Sequence, residues 1–117
     1  AHNNLGTILL DLGSLDSAVD HFEWAVAFKP DYAEAHNNLG VVERHQEKFD
    51  QAIKSFEKAI AIQPNYVQAH SNLGNTLQDI GQLDTAMTCY ENALAINPDY
   101  SEALKGVQRL LKYQHDL

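Results

Sequence analysis

The sequence predicts an all-α solenoid: three helix pairs in a row, closed by a single helix. Three observations carry that expectation. Sliding the 117 residues against themselves gives one dominant offset of 34 residues, a length that holds a helix, a turn and a second helix and marks a repeat array. Each stretch contains two segments whose apolar residues recur at steps of three and four, the period of a helix with one buried face. A proline closes every stretch, at Pro30, Pro64 and Pro98, where the missing amide hydrogen and the restriction on the preceding residue stop a helix.

By this register the single domain, residues 1–117, comprises repeats at 1–32, 33–66 and 67–100, and a capping helix at 101–117. The first helix of each repeat carries a Leu-Gly pair, Leu5-Gly6, Leu39-Gly40 and Leu73-Gly74. Glycine inside a helix costs about 1 kcal/mol relative to alanine, so a close approach of another helix is expected there. The small Ala25, Ala59 and Ala93 of the second helices serve the same approach. Gly13 and Gly81 mark the turn between the two helices, and Glu47 stands there in the middle repeat. Asp16, Asp50 and Asp84 are expected to cap the second helices. In the middle repeat Phe49, Ala52, Ile53, Phe56, Ala59 and Ile60 form one apolar stripe, opposite Gln51, Lys54, Glu57 and Lys58. Beyond Pro98, Ala103, Val107 and Leu110 keep the spacing of another first helix, but Gln108 replaces the glycine. A polar residue there suits a terminal helix whose outer face meets water.

The Leu-Gly pair, the recurrent Ala18, Ala52 and Ala86, the aromatic at Phe22, Phe56 and Tyr90, the second alanine and the closing proline resemble the tetratricopeptide repeat family over essentially the whole chain. One departure is a histidine, at His2, His36 and His70, where the family has a bulky aromatic three residues before the leucine. The resemblance implies a right-handed α-solenoid whose first helices line a concave face that binds partners in extended form. Carried over position by position, it implies a peptide-binding set of Asn3, Asn4 and Thr7 in the first repeat. Asn37, Asn38, Val41 and Arg44 follow in the second, Ser71, Asn72, Asn75 and Gln78 in the third, and Lys105, Arg109 and Lys112 in the cap.

Asn4, Asn38 and Asn72 precede each Leu-Gly. Asparagine costs about 0.6 kcal/mol against alanine in a helix, so its repetition calls for compensation. A carboxamide offers both a donor and an acceptor, the complement of a peptide group. The column resembles the asparagine row of the superhelical tetratricopeptide domain of O-linked N-acetylglucosamine transferases, and Ala69 to Leu73 is similar to that family's repeats. The plainer alternative is that these amides bond neighbouring helix ends or solvate a polar face. The carboxylate clamp of chaperone adaptors is not expected, because its places hold Asn3, Thr7, Asn38, Gln68 and Asn72, none of them cationic.

Composition narrows the function classes. A net charge of −8 repels phosphate backbones and anionic lipid, so neither nucleic acid nor membrane is an expected partner. The lone Cys89 makes no internal disulfide, which suits a reducing, cytoplasmic setting. The chain opens at Ala1 without Met and reads as a piece of a longer protein. No catalytic pairing, phosphate loop or cofactor cradle is recognisable, so no cofactor and no enzymatic activity are expected. The three histidines, one repeat apart, would stand about 10 Å from one another, too far to share one metal ion at ~2 Å.

Two features break the repetition. Lys105, Arg109 and Lys112 form a stripe on the cap, suited to an acidic partner segment or simply to the helix's C-terminal dipole. Trp24 stands where Lys58 and Asn92 follow, and Leu10 where Arg44 and Gln78 follow. Exposed apolar side chains at that end suit an upstream repeat, self-association or a partner. The expected function is a protein-interaction scaffold that binds an extended peptide. The alternative is a substrate-recruiting or oligomerising segment of a larger multidomain enzyme such as a glycosyltransferase.

Overall fold

A computed structural model describes residues 15–116. Those residues form six helices and no strand: α1 (Leu15–Phe28), α2 (Ala33–His45), α3 (Phe49–Ile62), α4 (Val67–Asp79), α5 (Leu83–Ile96) and α6 (Ser101–Asp116). The expected positions at His2, Gly6 and Gly13 lie outside the described residues. The chain divides into two compact units, one ending at Pro64 and the other beginning at Asn65.

In the first unit α2 packs against both α1 and α3. Ala18 and Phe22 of α1 meet Leu39 and Val42 of α2, with Val19 and Val26 at the edge of the cluster. Ala52, Phe56 and Ala59 are fully enclosed on α3, and each buried large side chain contributes roughly 1.5–3 kcal/mol. The Leu-Gly pair has the reason its spacing suggests. A Cβ on Gly40 would stand 2.6 Å from Cε1 of Phe56, so only glycine lets the ring lie against the helix backbone.

In the second unit α5 packs between α4 and α6, which also touch each other. Its core is Leu73 and Leu77 of α4, Ala86, Tyr90 and Ala93 of α5, and Ala103 and Leu110 of α6. Gly74 repeats the contact of Gly40, with a Cβ placed 2.8 Å from Cε1 of Tyr90. Gln108 of α6 is exposed.

Glu47 (φ 62°) and Gly81 (φ 81°) both take the left-handed conformation that ends the first helix of their repeats. Around each, the amide of the next residue reaches back five positions, Lys48 to the Glu43 carbonyl and Gln82 to that of Leu77, the bonding of a Schellman turn. The second helices stop before their prolines, leaving Gln63 and Asn97 with φ of −133° and −138°. One expectation is corrected. Asp50 and Asp84 do not cap their helices: Lys48 and Gln82 occupy those positions without a side-chain cap, and both aspartates lie in the first turn. There their charge favours the positive end of the helix dipole, and α1 likewise begins at Leu15, ahead of Asp16.

Candidate functional site

The second unit assembles a polar cluster from three helices. Asn75 and Gln78 lie one turn apart on α4 and so share a face. The Tyr90 ring is wholly buried on α5 and is flanked by glycine backbone on both sides. A Cβ on Gly74 or on Gly106 of α6 would collide with it. Its hydroxyl lies 2.6 Å from Oδ1 of Asn75 and 3.0 Å from Oε1 of Gln78. From α6, Nη2 of Arg109 donates to the same Oδ1 at 3.1 Å. Three of the sequence-derived candidates, Asn75, Gln78 and Arg109, are thereby brought together around one phenol.

The remaining candidates divide by exposure. Lys105 and Lys112 are exposed on α6, Lys105 within 3.8 Å of Glu102. Asn72 is half-buried and engaged within the protein. Ser71 is only 1% exposed, and its Oγ is a buried atom with no hydrogen-bond partner, where an open groove position was expected. In the first unit, Asn38, Val41 and Arg44 are half-buried on α2, Asn38 and Arg44 with contacts of their own. Asn37 is 6% exposed, again enclosed where an accessible amide was expected. Asn3, Asn4, Thr7 and Leu10 lie outside the described residues.

The histidine departure is structural. Nε2–H of His36 donates to the Pro30 carbonyl at 2.8 Å, tying α2 to the loop before it. Among the described residues no three His, Cys, Asp or Glu side chains gather as a metal site. No helix among them is long and apolar enough to cross a membrane.

Sequence reasoning missed three things. Tyr90 was read only as a core aromatic, although its hydroxyl distinguishes it from Phe22 and Phe56. Gly106 stands where Asn4, Asn38 and Asn72 stand in the repeats, and that break in the column was the available signal. The third is a buried carboxyl in the first unit, Glu43 of α2, hydrogen-bonded by the Ser55 hydroxyl of α3. It was legible as an acid where the next repeat has Leu77.

The Trp24 end is apolar as expected. Trp24 (53% exposed) stacks on Phe28 (78% exposed), their ring centroids 5.4 Å apart. Alongside, an open cleft of about 370 Å³ is lined by Val26, Ala27, Pro30, His36, Lys58, Ala61 and Ile62.

A family model described as the tetratricopeptide repeat matches residues 31–99, and a second, described as the TPR repeat, matches residues 6–43. No curated protein sequence matches the chain. Among solved structures, the first TPR of Spaghetti bound to an HSP90 peptide is similar at a TM-score of 0.93 and 21% identity, over 97% of this chain and 90% of that one. A mutant O-GlcNAc transferase of Thermobaculum terrenum is similar at a TM-score of 0.91 and 26% identity. That match spans 96% of this chain but only 22% of the transferase. YrrB, described as a TPR protein with an unusual peptide-binding site, reaches a TM-score of 0.87 and 24% identity over 92% of this chain and 55% of its own.

Proposed function

This chain belongs to the tetratricopeptide repeat family, and from that premise we propose that its repeats and cap act as one protein-interaction module that holds an extended peptide or a flexible partner segment. The Arg109 to Asn75 hydrogen bond carries the reading. It joins the amides of α4 to the cations of α6 on one face of the second unit, giving a peptide main chain donors and acceptors and an acidic side chain fixed positive charge. The HSP90 peptide bound by the first TPR of Spaghetti, and the binding site named for YrrB, lend support from the same fold. Binding without catalysis is part of the proposal, as is a reducing, cytoplasmic setting suited to the buried Cys89 thiol. The charge of −8 favours protein over nucleic acid as the partner.

A display library of unstructured peptides, screened against the whole chain, tests this. Enriched peptides are expected to lose affinity in Asn75→Ala and Arg109→Ala, and in the joint replacement of Asn4, Asn38 and Asn72 by alanine. Unchanged affinity in all of these variants, with the helical signal intact, would remove the proposal.

A second reading is favoured by the 26% identity to a transferase of which this chain spans 22%. In that reading the repeats recruit substrates to a catalytic domain elsewhere in a longer protein. The exposed Trp24 and Phe28 of α1 support self-association through that helix.

A further inference from the structure

We propose that Tyr90 is a positioning residue: its hydroxyl sets the polarity of the Asn75 and Gln78 side chains, so that the pair grips both the carbonyl and the amide of one residue in an extended peptide. This rests on the peptide-binding reading above and names what that face recognises.

Counting protons fixes which atoms of the three side chains face one another. A guanidinium only donates, so the Asn75 atom 3.1 Å from Arg109 is the amide oxygen. The Tyr90 hydroxyl has a single proton and lies 2.6 Å from that same oxygen, so it donates there. The phenolic oxygen then has only lone pairs left for Gln78, whose Oε1 is placed 3.0 Å away. A second acceptor there would be repelled, and turning the carboxamide end for end presents its NH2 instead. The chain of bonds runs from Gln78 to Tyr90 to Asn75, with Arg109 closing it.

Its consequence lies on the outer side. With Oδ1 of Asn75 held by two donors, Nδ2 is directed away from them, and it donates to nothing among the described residues. With the Gln78 NH2 turned to the phenol, Oε1 faces outward as an acceptor. One donor and one acceptor thus stand a helical turn apart on α4. A residue in an extended chain presents its own N–H and C=O to the same side, as a hydrogen-bonded pair in an antiparallel ladder does. The side chain of that residue is not consulted, so the pair selects backbone conformation and register.

The other repeats support the assignment by contrast. Phe22 and Phe56 lack the hydroxyl, and Thr7 and Val41 stand where Asn75 does. The amide accompanies the phenol. Gly106, in place of the asparagine of the other repeats, leaves room for the buried Tyr90 ring, which a Cβ there would strike.

Two measurements on the whole chain test the proposal. The first needs no ligand. Tyr90→Phe installs the residue already present at 22 and 56, so the fold is expected to survive. The side-chain amide NMR signals of Asn75 and Gln78 should then lose their dispersion and exchange faster with water. Unchanged signals overturn the proposal. The second titrates an acetylated, amidated octapeptide of alternating glycine and serine, which has a backbone and little else. Asn75→Ala, Gln78→Ala and Tyr90→Phe should each weaken its binding by roughly three- to tenfold, with Tyr90→Phe adding nothing once Gln78 is alanine. Weakening by the two alanine variants but not by Tyr90→Phe overturns the role of Tyr90 and leaves the peptide-binding reading standing. Failure of the unaltered protein to bind the octapeptide overturns recognition by the pair, and failure of the library screen as well removes the reading beneath it.

Discussion

The hydroxyl of Ser55 on α3 donates to Oε1 of Glu43 on α2 across 2.5 Å, within the buried interface of the first unit. Glu43 is 8% exposed, and burial pushes its carboxyl above the ordinary range, against the Ser55 hydrogen bond. The Glu23 charge adds to the rise and Lys48 opposes it. A raised acid favours the folded state when protonated. Its contribution is fully present below the pKa of the unfolded chain and is lost as pH rises through the folded value. Glu43→Gln keeps an acceptor for Ser55 without the buried charge. It is expected to raise stability at pH 7 by about 1 kcal/mol, an advantage that disappears near pH 4. Thermal melts at the two values check this, and an equal gain at both would show that burial of the charge is not the cause.

Glu47 occupies a left-handed conformation (φ 62°) that Gly81 fills in the next repeat. A side chain there costs roughly 1–2 kcal/mol, while glycine gives back part of that through unfolded-state entropy. Glu47→Gly is therefore expected to stabilise by about 0.5–1 kcal/mol, and Gly81→Ala to destabilise by a similar amount. Chemical denaturation with an unchanged m-value would measure both.

Gly74→Ala sets two effects against each other. Alanine improves helix propensity by about 1 kcal/mol, but its Cβ would lie 2.8 Å from a fully buried tyrosine ring, and overpacking costs about 1–3 kcal/mol. The ring is held from α6 as well, so it has no room to yield. Net destabilisation of about 1 kcal/mol or more is expected, read as a lower melting temperature. A melting temperature equal to or above the parent's would mean the packed ring moves freely.

Trp24 and Phe28 present stacked rings to solvent on α1. If that surface joins two copies, light scattering should show mass rising with concentration, and Trp24→Lys with Phe28→Glu should hold the chain at monomer mass. A monomer at all concentrations before substitution would rule out self-association through this end.

Local chemistry made much of the architecture legible in advance. Pro64 and Pro98 end α3 and α5 through their own rings, apolar steps of three and four select a helix over a strand, and a Gly in the left-handed turn needs no distant partner. The capping aspartates were misjudged because N1 is decided by where the preceding turn releases the chain. Lys48 and Gln82 already continue the Schellman bonding there, which leaves Asp50 and Asp84 inside the helix. The candidate site was legible as a set of types, amides on one helix and cations on another, since a 34-residue period projects equivalent positions onto equivalent faces.

What the linear code settled by itself is the repeat, its helices and the prolines that end them, because each depends on interactions within about one helical turn. Only the tertiary structure decided that Arg109 and Asn75 meet over the Tyr90 hydroxyl, that Glu43 is enclosed against Ser55, and that Asn37 and Ser71 are buried. Those outcomes depend on which side chains the packing of three helices brings within 3 Å of one another, and periodicity gives the face of a residue but not the neighbour that shares it.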